Sequence, residues 1–135
     1  MNELLKQYTC VIYDKEKIVF TSTKKGVAPM IDFYNQDDFV KKNYKVIDRI
    51  MGKGAVLLAI LIGAIEIETP FISKPALKLA KKYDLKVTYT VLVDKINNRT
   101  DTGQCPIESS VLNIDNIEVG YETILNTLIE LKKNA

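Results

Sequence analysis

The sequence predicts a three-layer α/β/α sandwich built on a five-stranded mixed sheet, and three observations carry this prediction. At 135 residues the chain has the usual length of one domain, so a single domain over residues 1–135 is expected. Its composition, 47% hydrophobic and 27% charged, is that of an ordinary globular protein. Helix and strand patterns alternate through the middle of the chain, which favours parallel strands, right-handed crossovers and helices on both sheet faces.

The first half of the chain predicts a β-hairpin followed by a helix. Residues 1–7 resemble the end of a short helix. Residues 9–13 and 18–21 are rich in β-branched and aromatic side chains on either side of a polar connection, which predicts two antiparallel strands. Pro29 is suited to the first turn of a helix. Residues 44–50 then predict a third strand.

The second half alternates helices with strands. The predicted helices cover residues 55–62, 75–83 and 117–133, and the predicted strands cover residues 65–69 and 86–93. Gly63 is expected to end the first of these helices, and Ser73 to cap the second. The second helix carries four lysines on its polar face, which are interpreted as a solvated surface: Lys74, Lys78, Lys81 and Lys82.

The composition excludes several classes of function. Nineteen basic residues face seventeen acidic ones, so the chain lacks the net field that drives non-specific binding to nucleic acid. Histidine is absent, which removes the commonest metal ligand, and neither a metal nor another cofactor is expected. Two cysteines and no signal-peptide pattern favour a cytoplasmic protein. The longest apolar run, residues 55–65, is too short to span a membrane.

Two motifs carry a resemblance to a known family. One is Asp-Arg-Ile-Met-Gly-Lys at residues 48–53, and the other is Asn-Arg-Thr-Asp-Thr-Gly-Gln-Cys-Pro-Ile-Glu at residues 98–108. Together with Thr-Pro-Phe-Ile-Ser at residues 69–73, they resemble a family of uncharacterised prokaryotic proteins whose fold is similar to that of cytidine deaminases. The resemblance covers nearly the whole chain and implies a cytidine-deaminase-like arrangement of the sandwich.

The resemblance also implies where a zinc site would lie. In the deaminase fold the zinc ligands and the catalytic glutamate are at the starts of two helices, which correspond here to residues 52–55 and 72–76. Neither stretch contains His, Cys or Glu. Hydrolytic deamination needs a metal-activated water and a carboxylate that moves its proton. We therefore do not expect a zinc deaminase.

The segment around Lys53 is the first candidate binding site. Gly52 precedes this lysine at a helix start, where free backbone N–H groups, the helix dipole and an ammonium group attract an anion. The alternative is that the glycines permit a tight turn and that Lys53 is solvated. Arg49 either joins the anion site or pairs with Asp48.

The long polar connection and the residues after it supply the other candidates. Asn98, Arg99 and Gly103 lie in this connection, which either contributes to a ligand site or is a braced loop. Cys105 and Glu108 match a helix start, where the helix N-terminus favours a reactive thiolate. Without histidine as a base, Cys105 is either a catalytic or redox residue or a small packed side chain.

The leading hypothesis is a metal-free domain that binds an anionic small molecule, with a nucleotide or another phosphate-bearing ligand as the best fit. Lys53, Arg49 and Arg99 would hold the anion in one recess, and Cys105 and Glu108 would line its floor. The alternatives are a non-catalytic interaction or structural protein and a thiol-dependent enzyme or redox sensor that uses Cys105. Catalysis is left open, and the apolar helices are compatible with a homo-oligomer.

Overall fold

The computed structural model describes residues 3–96 and 105–133, and within them a six-stranded mixed sheet and five α-helices. In chain order the elements are a 3₁₀ helix (Glu3–Lys6), β1 (Cys10–Asp14), β2 (Lys17–Ser22), α1 (Ala28–Tyr34), β3 (Tyr44–Asp48), β4 (Ile50–Met51), α2 (Lys53–Ile62), β5 (Glu66–Ser73), α3 (Lys74–Lys82), β6 (Lys86–Val93), α4 (Pro106–Ser110) and α5 (Ile117–Lys133). The predicted α/β class is confirmed.

The sheet joins an antiparallel half to a parallel half. β1 pairs antiparallel with β2 and with β3, whereas β5 pairs parallel with β3, β4 and β6. β6 occupies one edge of β5 from end to end, so β3 and β4 share the other edge. The structure thus has one strand more than the five predicted, because the line of β3 is interrupted at Arg49 and resumes as the two-residue β4.

One core holds the helices against the sheet. Buried apolar side chains from all five helices belong to the same cluster as Cys10, Ile12 and Val46 of the sheet. Val11 and Ile47, which are neighbours across β1 and β3, project to the opposite face, because side chains alternate along a strand. There they form a small separate cluster with Leu5 of the 3₁₀ helix.

The second helical layer predicted for the sandwich is absent from the described residues. On the face of Ile47, Lys45 of β3 forms ion pairs with Glu66 at 3.6 Å and with Glu68 at 3.5 Å, both on β5. These glutamates alternate with the buried Ile67, so β5 has one apolar face at this point. A sheet covered by helices on both sides would need apolar residues on both faces.

α2 is the central helix of the core. Eight of its ten residues are buried, and it contacts α1, α3 and α5. An apolar character all around a helix is typical of a fully buried helix. Among the described helices, none combines the length and the apolar composition needed to cross a membrane.

The element boundaries confirm two local predictions and correct one. Gly63 ends α2 in a left-handed conformation, with φ at +104°. Ser73 is the N-cap of α3, since its side chain accepts a hydrogen bond from the Ala76 N–H at 3.2 Å. The strand predicted to end before Pro70 continues to Ser73, because Thr69 and Phe71 on either side of the proline keep the same register with β6.

Candidate functional site

A buried carboxylate joins the two helix starts that the sequence singled out. α4 brings Glu108, which is 2% exposed, to the start of α2 and the start of α3. Its Oε2 accepts a hydrogen bond from the Lys53 N–H at 2.8 Å and another from the Ser73 hydroxyl. Its Oε1 accepts a hydrogen bond from the Ile96 N–H at 2.8 Å. The Glu108 carboxyl group therefore lies at the N-terminal ends of two helices, where it accepts a hydrogen bond from a free backbone N–H of α2 and from the N-cap hydroxyl of α3.

Gly52 provides the space for this carboxylate. A Cβ atom at Gly52 would lie 2.9 Å from Glu108 Oε2 and 2.9 Å from Ile96 Cγ1. Both distances are shorter than real Cβ contacts, so any side chain would displace Glu108 or the segment that contains Ile96. In this structure Gly52 serves close packing against Glu108, which is a different task from the ligand contact predicted for it.

Cys105 lines a small recess beside Glu108. The recess has a volume of about 70 Å³, and its walls are mainly apolar: Gly26, Val27, Ile50, Gly52, Gly54, Ala55, Ile96, Cys105, Ile107 and Glu108. The Cys105 N–H donates a hydrogen bond to the Ile96 carbonyl at 2.7 Å, and its side chain is half-buried. Pockets that hold drug-sized ligands measure roughly 300–1,000 Å³. The recess is too small for the predicted nucleotide.

The ammonium group of Lys53 lies in a different cleft. Lys53 is 4% exposed, and its Nζ donates a hydrogen bond to the Leu112 carbonyl at 2.8 Å and forms a 2.7 Å ion pair with Asp115. The predicted single recess with the Lys53 charge above Cys105 is therefore corrected. The backbones of these segments meet at Glu108, but the Lys53 charge is directed toward Asp115, because burial of an ammonium group requires a close anionic partner.

Arg49 is also separate from the recess. Its Nε donates a hydrogen bond to the Leu5 carbonyl at 2.7 Å, and its Nη2 donates one to the Lys6 carbonyl at 3.4 Å. These carbonyls are at the end of the 3₁₀ helix, where a basic side chain commonly satisfies free acceptors. Arg49 thus braces the N-terminal segment and is not the predicted anion clamp. Asn98, Arg99 and Gly103 lie outside the described residues.

The cleft that receives the Lys53 ammonium was not predicted. We name it the lysine cleft; it has a volume of about 910 Å³ and is lined by Lys53, Lys74, Pro75, Lys78, Leu79, Lys81, Lys82, Asp94, Leu112, Asn113 and Asp115. One wall is α3, and the other comes from the connection between α4 and α5. The sequence signal is the row of lysines on α3, a pattern that by itself is typical of a solvated helix face.

The charges in the lysine cleft are only partly neutralised. Asp115 pairs with Lys53 and, at 3.2 Å, with Lys82, and hydrogen bonds from these two ammonium groups hold the pKa of Asp115 below its usual value. Lys74 pairs with Asp94 at 2.8 Å. Within residues 3–96 and 105–133, two further lysines of the cleft form no ion pair: Lys78 and Lys81.

The sulfur and carboxylate groups do not suggest a metal centre in the part of the chain that the structure describes. No group of three or more His, Cys, Asp or Glu side chains there is placed to hold a metal ion. Cys10 is buried in the core and Cys105 lines the recess, and both are free thiols. The described residues therefore offer a ligand two kinds of group: the hydrogen-bonded carboxyl group of Glu108 and the lysines of the cleft that form no ion pair.

Comparisons with known proteins give a family without an assigned function. A family profile for TM1506, described as a domain of unknown function (DUF1893), matches residues 2–128. A crystal structure of a DUF1893 family protein, TM1506 from Thermotoga maritima, is similar with a TM-score of 0.80 and 26% sequence identity. The match covers 90% of this chain and 82% of that chain. No curated protein matches this chain.

Proposed function

Because the chain belongs to the DUF1893 family, whose description assigns no activity, we propose a function from its own geometry: it binds an anionic small molecule in the lysine cleft. The observation that carries the proposal is the concentration of charge. Five lysines and two aspartates line the cleft, whereas the rest of the chain holds fourteen basic and fifteen acidic residues. A cleft with an excess of positive charge attracts anionic ligands.

Lys78 and Lys81 are the first contacts that such a ligand would make. They are three residues apart on α3, so they lie on the same face of the helix, with Cβ atoms roughly 5–6 Å apart. One phosphate group can bridge two ammonium groups at this spacing. Lys82 and Lys53 would contribute further charge when the ligand competes with Asp115 for them.

The other walls of the cleft favour a ligand that also has an uncharged part. Pro75 and Leu112 provide apolar surface, and the Asn113 side chain can donate and accept hydrogen bonds. The volume of about 910 Å³ is within the range of sites that hold drug-sized ligands. A phosphate-bearing molecule such as a nucleotide therefore fits the cleft better than it fits the recess beside Cys105.

We also propose that the fold is a metal-free variant of the cytidine-deaminase arrangement, in which the short 3₁₀ helix takes the place of the second helical layer in the described residues. α2 begins directly after β4, and α3 begins directly after β5, which is parallel to β4. If β3 and β4 are counted as one interrupted strand, the sheet has five strands. Glu108 lies where these helix starts meet, which is where a deaminase would hold zinc. Hydrogen bonds hold Glu108 at this place, and the recess beside Cys105 is small. Both observations give less support to the hypothesis of a thiol-dependent enzyme or redox sensor that uses Cys105. The two free thiols are consistent with a cytoplasmic location.

Calorimetric titration and thermal shift test the anion-binding proposal. The probes are inorganic phosphate, pyrophosphate and nucleoside mono-, di- and triphosphates, each at low salt because screening weakens charge contacts. A ligand at about 100 times its Kd stabilises the folded state by about 2.7 kcal/mol, so binding is readily measured. We expect at least one phosphate compound to bind, and the double variant Lys78→Ala/Lys81→Ala to weaken it by about tenfold or more.

A matched double variant controls for net charge. Lys17→Ala/Lys25→Ala removes two exposed lysines near the β1–β2 hairpin, outside the lysine cleft. We expect it to bind the same ligand with nearly the affinity of the wild-type protein. Equal losses in both double variants would show a general charge effect, and the absence of binding by every phosphate compound would contradict the proposal.

A further inference from the structure

β6 is an edge strand without the usual protection against pairing. β5 pairs with it along its whole length, and no other strand in the described residues pairs with its second edge. Tyr89, Val91 and Leu92 are 40%, 40% and 39% exposed. The strand contains no proline, and its single charged residue, Lys86, is at its first position. Edge strands normally carry prolines, bulges or central charges that prevent association.

We propose that two copies of the chain form a dimer in which their β6 strands pair antiparallel about a two-fold axis at Thr90. The strand is complementary to itself in this register. Lys86 lies opposite the partner's Asp94, and Tyr89 lies opposite the partner's Val91. Opposite charges and aromatic with β-branched side chains are favourable cross-strand pairs. The two-fold symmetry makes each of these pairs occur twice.

Neighbouring registers lack this complementarity. A two-fold axis at Tyr89 would place Lys86 opposite the partner's Leu92, so the lysine would have no anionic partner across the strands. An axis at Val91 would place Asp94 opposite the partner's Thr88 and leave its charge without a partner. The charge pattern at the two ends of β6 therefore selects the register centred on Thr90.

Asp94 is available for this contact. Its side chain is 84% exposed, and the ion pair with Lys74 engages Oδ1 at 2.8 Å. A carboxylate has two oxygens and several acceptor positions, so Oδ2 can receive the partner's Lys86 without loss of the internal pair. Asp94 also lines the lysine cleft, but the dimer needs no anion bound there, so either proposal can fail alone.

Cysteine cross-linking tests the register. In a Cys105→Ser background, Thr90→Cys places two thiols on the two-fold axis, where facing Cα atoms in antiparallel strands are about 4.5–5.5 Å apart. That distance lies within the range for a disulfide, about 4.4–6.8 Å. We expect mild oxidation to convert most of this variant into a covalent dimer on a non-reducing gel.

Thr88→Cys in the same background is the matched control. Thr88 is another exposed threonine of β6, and it projects to the same face as Thr90. In the proposed register Thr88 faces the partner's Leu92, so the two thiols are separated by four residues, or roughly 13 Å. We expect this variant to stay uncross-linked. Equal cross-linking of both variants, or no cross-linking at Thr90→Cys, would overturn the proposed pairing.

Charge reversal provides a second test by sedimentation equilibrium. Lys86→Asp places two aspartates opposite each other and should weaken the dimer by about tenfold or more. The triple variant Lys74→Ala/Lys86→Asp/Asp94→Lys restores opposite charges across the strands with their positions exchanged, and it removes the lysine that pairs with Asp94 within the chain. We expect it to recover most of the association that Lys74→Ala alone shows. Circular dichroism confirms that each variant is folded. A wild-type protein that stays monomeric at high concentration, or a triple variant without recovery, would overturn the inference.

Discussion

Two buried acidic residues, Glu108 and Asp48, differ in how many hydrogen bonds their carboxyl groups accept. Glu108 accepts hydrogen bonds from the Lys53 N–H and the Ser73 hydroxyl at two helix starts and from the Ile96 N–H. Asp48, at the end of β3, has an Oδ2 atom without a hydrogen-bond partner in the described structure. Burial raises the pKa of Asp48 to about 8, although the backbone N–H groups of Ile50 and Arg49 and the charge of Arg49 lower it. The raised pKa favours the protonated, neutral form of Asp48 in the folded chain.

The raised pKa of Asp48 predicts that folding stability falls as the pH rises. Between about pH 4 and pH 8 the folded chain keeps a proton that the unfolded chain releases, so alkaline conditions favour unfolding. The wild-type free energy of unfolding should decrease by up to about 1.4 kcal/mol per pH unit in this window from this residue. Asp48→Asn removes the titration, and urea unfolding between pH 5 and pH 8 should show a flatter profile.

The control for this measurement is an exposed carboxylate on a different part of the surface. Asp37→Asn removes one aspartate from the turn after α1, where the side chain is exposed. We expect Asp37→Asn to keep the wild-type dependence of stability on pH. A profile of Asp48→Asn that runs parallel to that of the wild type would show that the carboxyl group is ionised in the folded protein.

Single elements were predictable where their own residues decide the structure. β6 covers Lys86–Val93 and α5 covers Ile117–Lys133, as predicted, because β-branched residues crowd the strand and a 3.6-residue period runs through the helix. β5 was predicted to stop at Pro70, since proline cannot donate to a ladder. It continues because the neighbours of this proline pair with β6, and such pairing is not visible in the local sequence.

The contact between α5 and α2 gives a prediction at the scale of elements. Gly120 packs against Leu57, and a Cβ atom at Gly120 would lie 2.1 Å from Leu57 Cδ1. Gly120→Ala gains about 1 kcal/mol of helix propensity. Leu57 is fully buried, however, and overpacking costs about 1–3 kcal/mol. We expect a net loss of up to about 2 kcal/mol in the free energy of unfolding, measured with urea.

Asn126→Ala separates the two effects in α5. Asn126 is exposed on the same helix, so this substitution changes helix propensity without changing the core. It should stabilise the protein by a few tenths of a kcal/mol. If Gly120→Ala stabilised the protein to a similar degree, the close contact between α5 and α2 would be contradicted.

At the scale of the whole molecule, the candidate site was only partly predictable. The motifs near residues 52 and 105 indicated two segments that the structure brings together, since Lys53 and Glu108 are hydrogen-bonded. The direction of the Lys53 side chain depends on Asp115, which follows 62 residues later, in a connection without a recognisable motif. Charge pairs between distant segments form only when the chain is folded, so the row of lysines on α3 did not by itself indicate a cleft.

The whole chain is also expected to unfold as one cooperative unit. The large core cluster contains side chains from all five helices and from both halves of the sheet, so the loss of one element exposes the others. The chain has seven tyrosines and no tryptophan, so tyrosine fluorescence reports tertiary structure while far-ultraviolet circular dichroism reports helices and strands. We expect the two signals to give the same urea midpoint. Different midpoints would mean that the small cluster of Leu5, Val11 and Ile47 unfolds with the β1–β2 hairpin before the main core does.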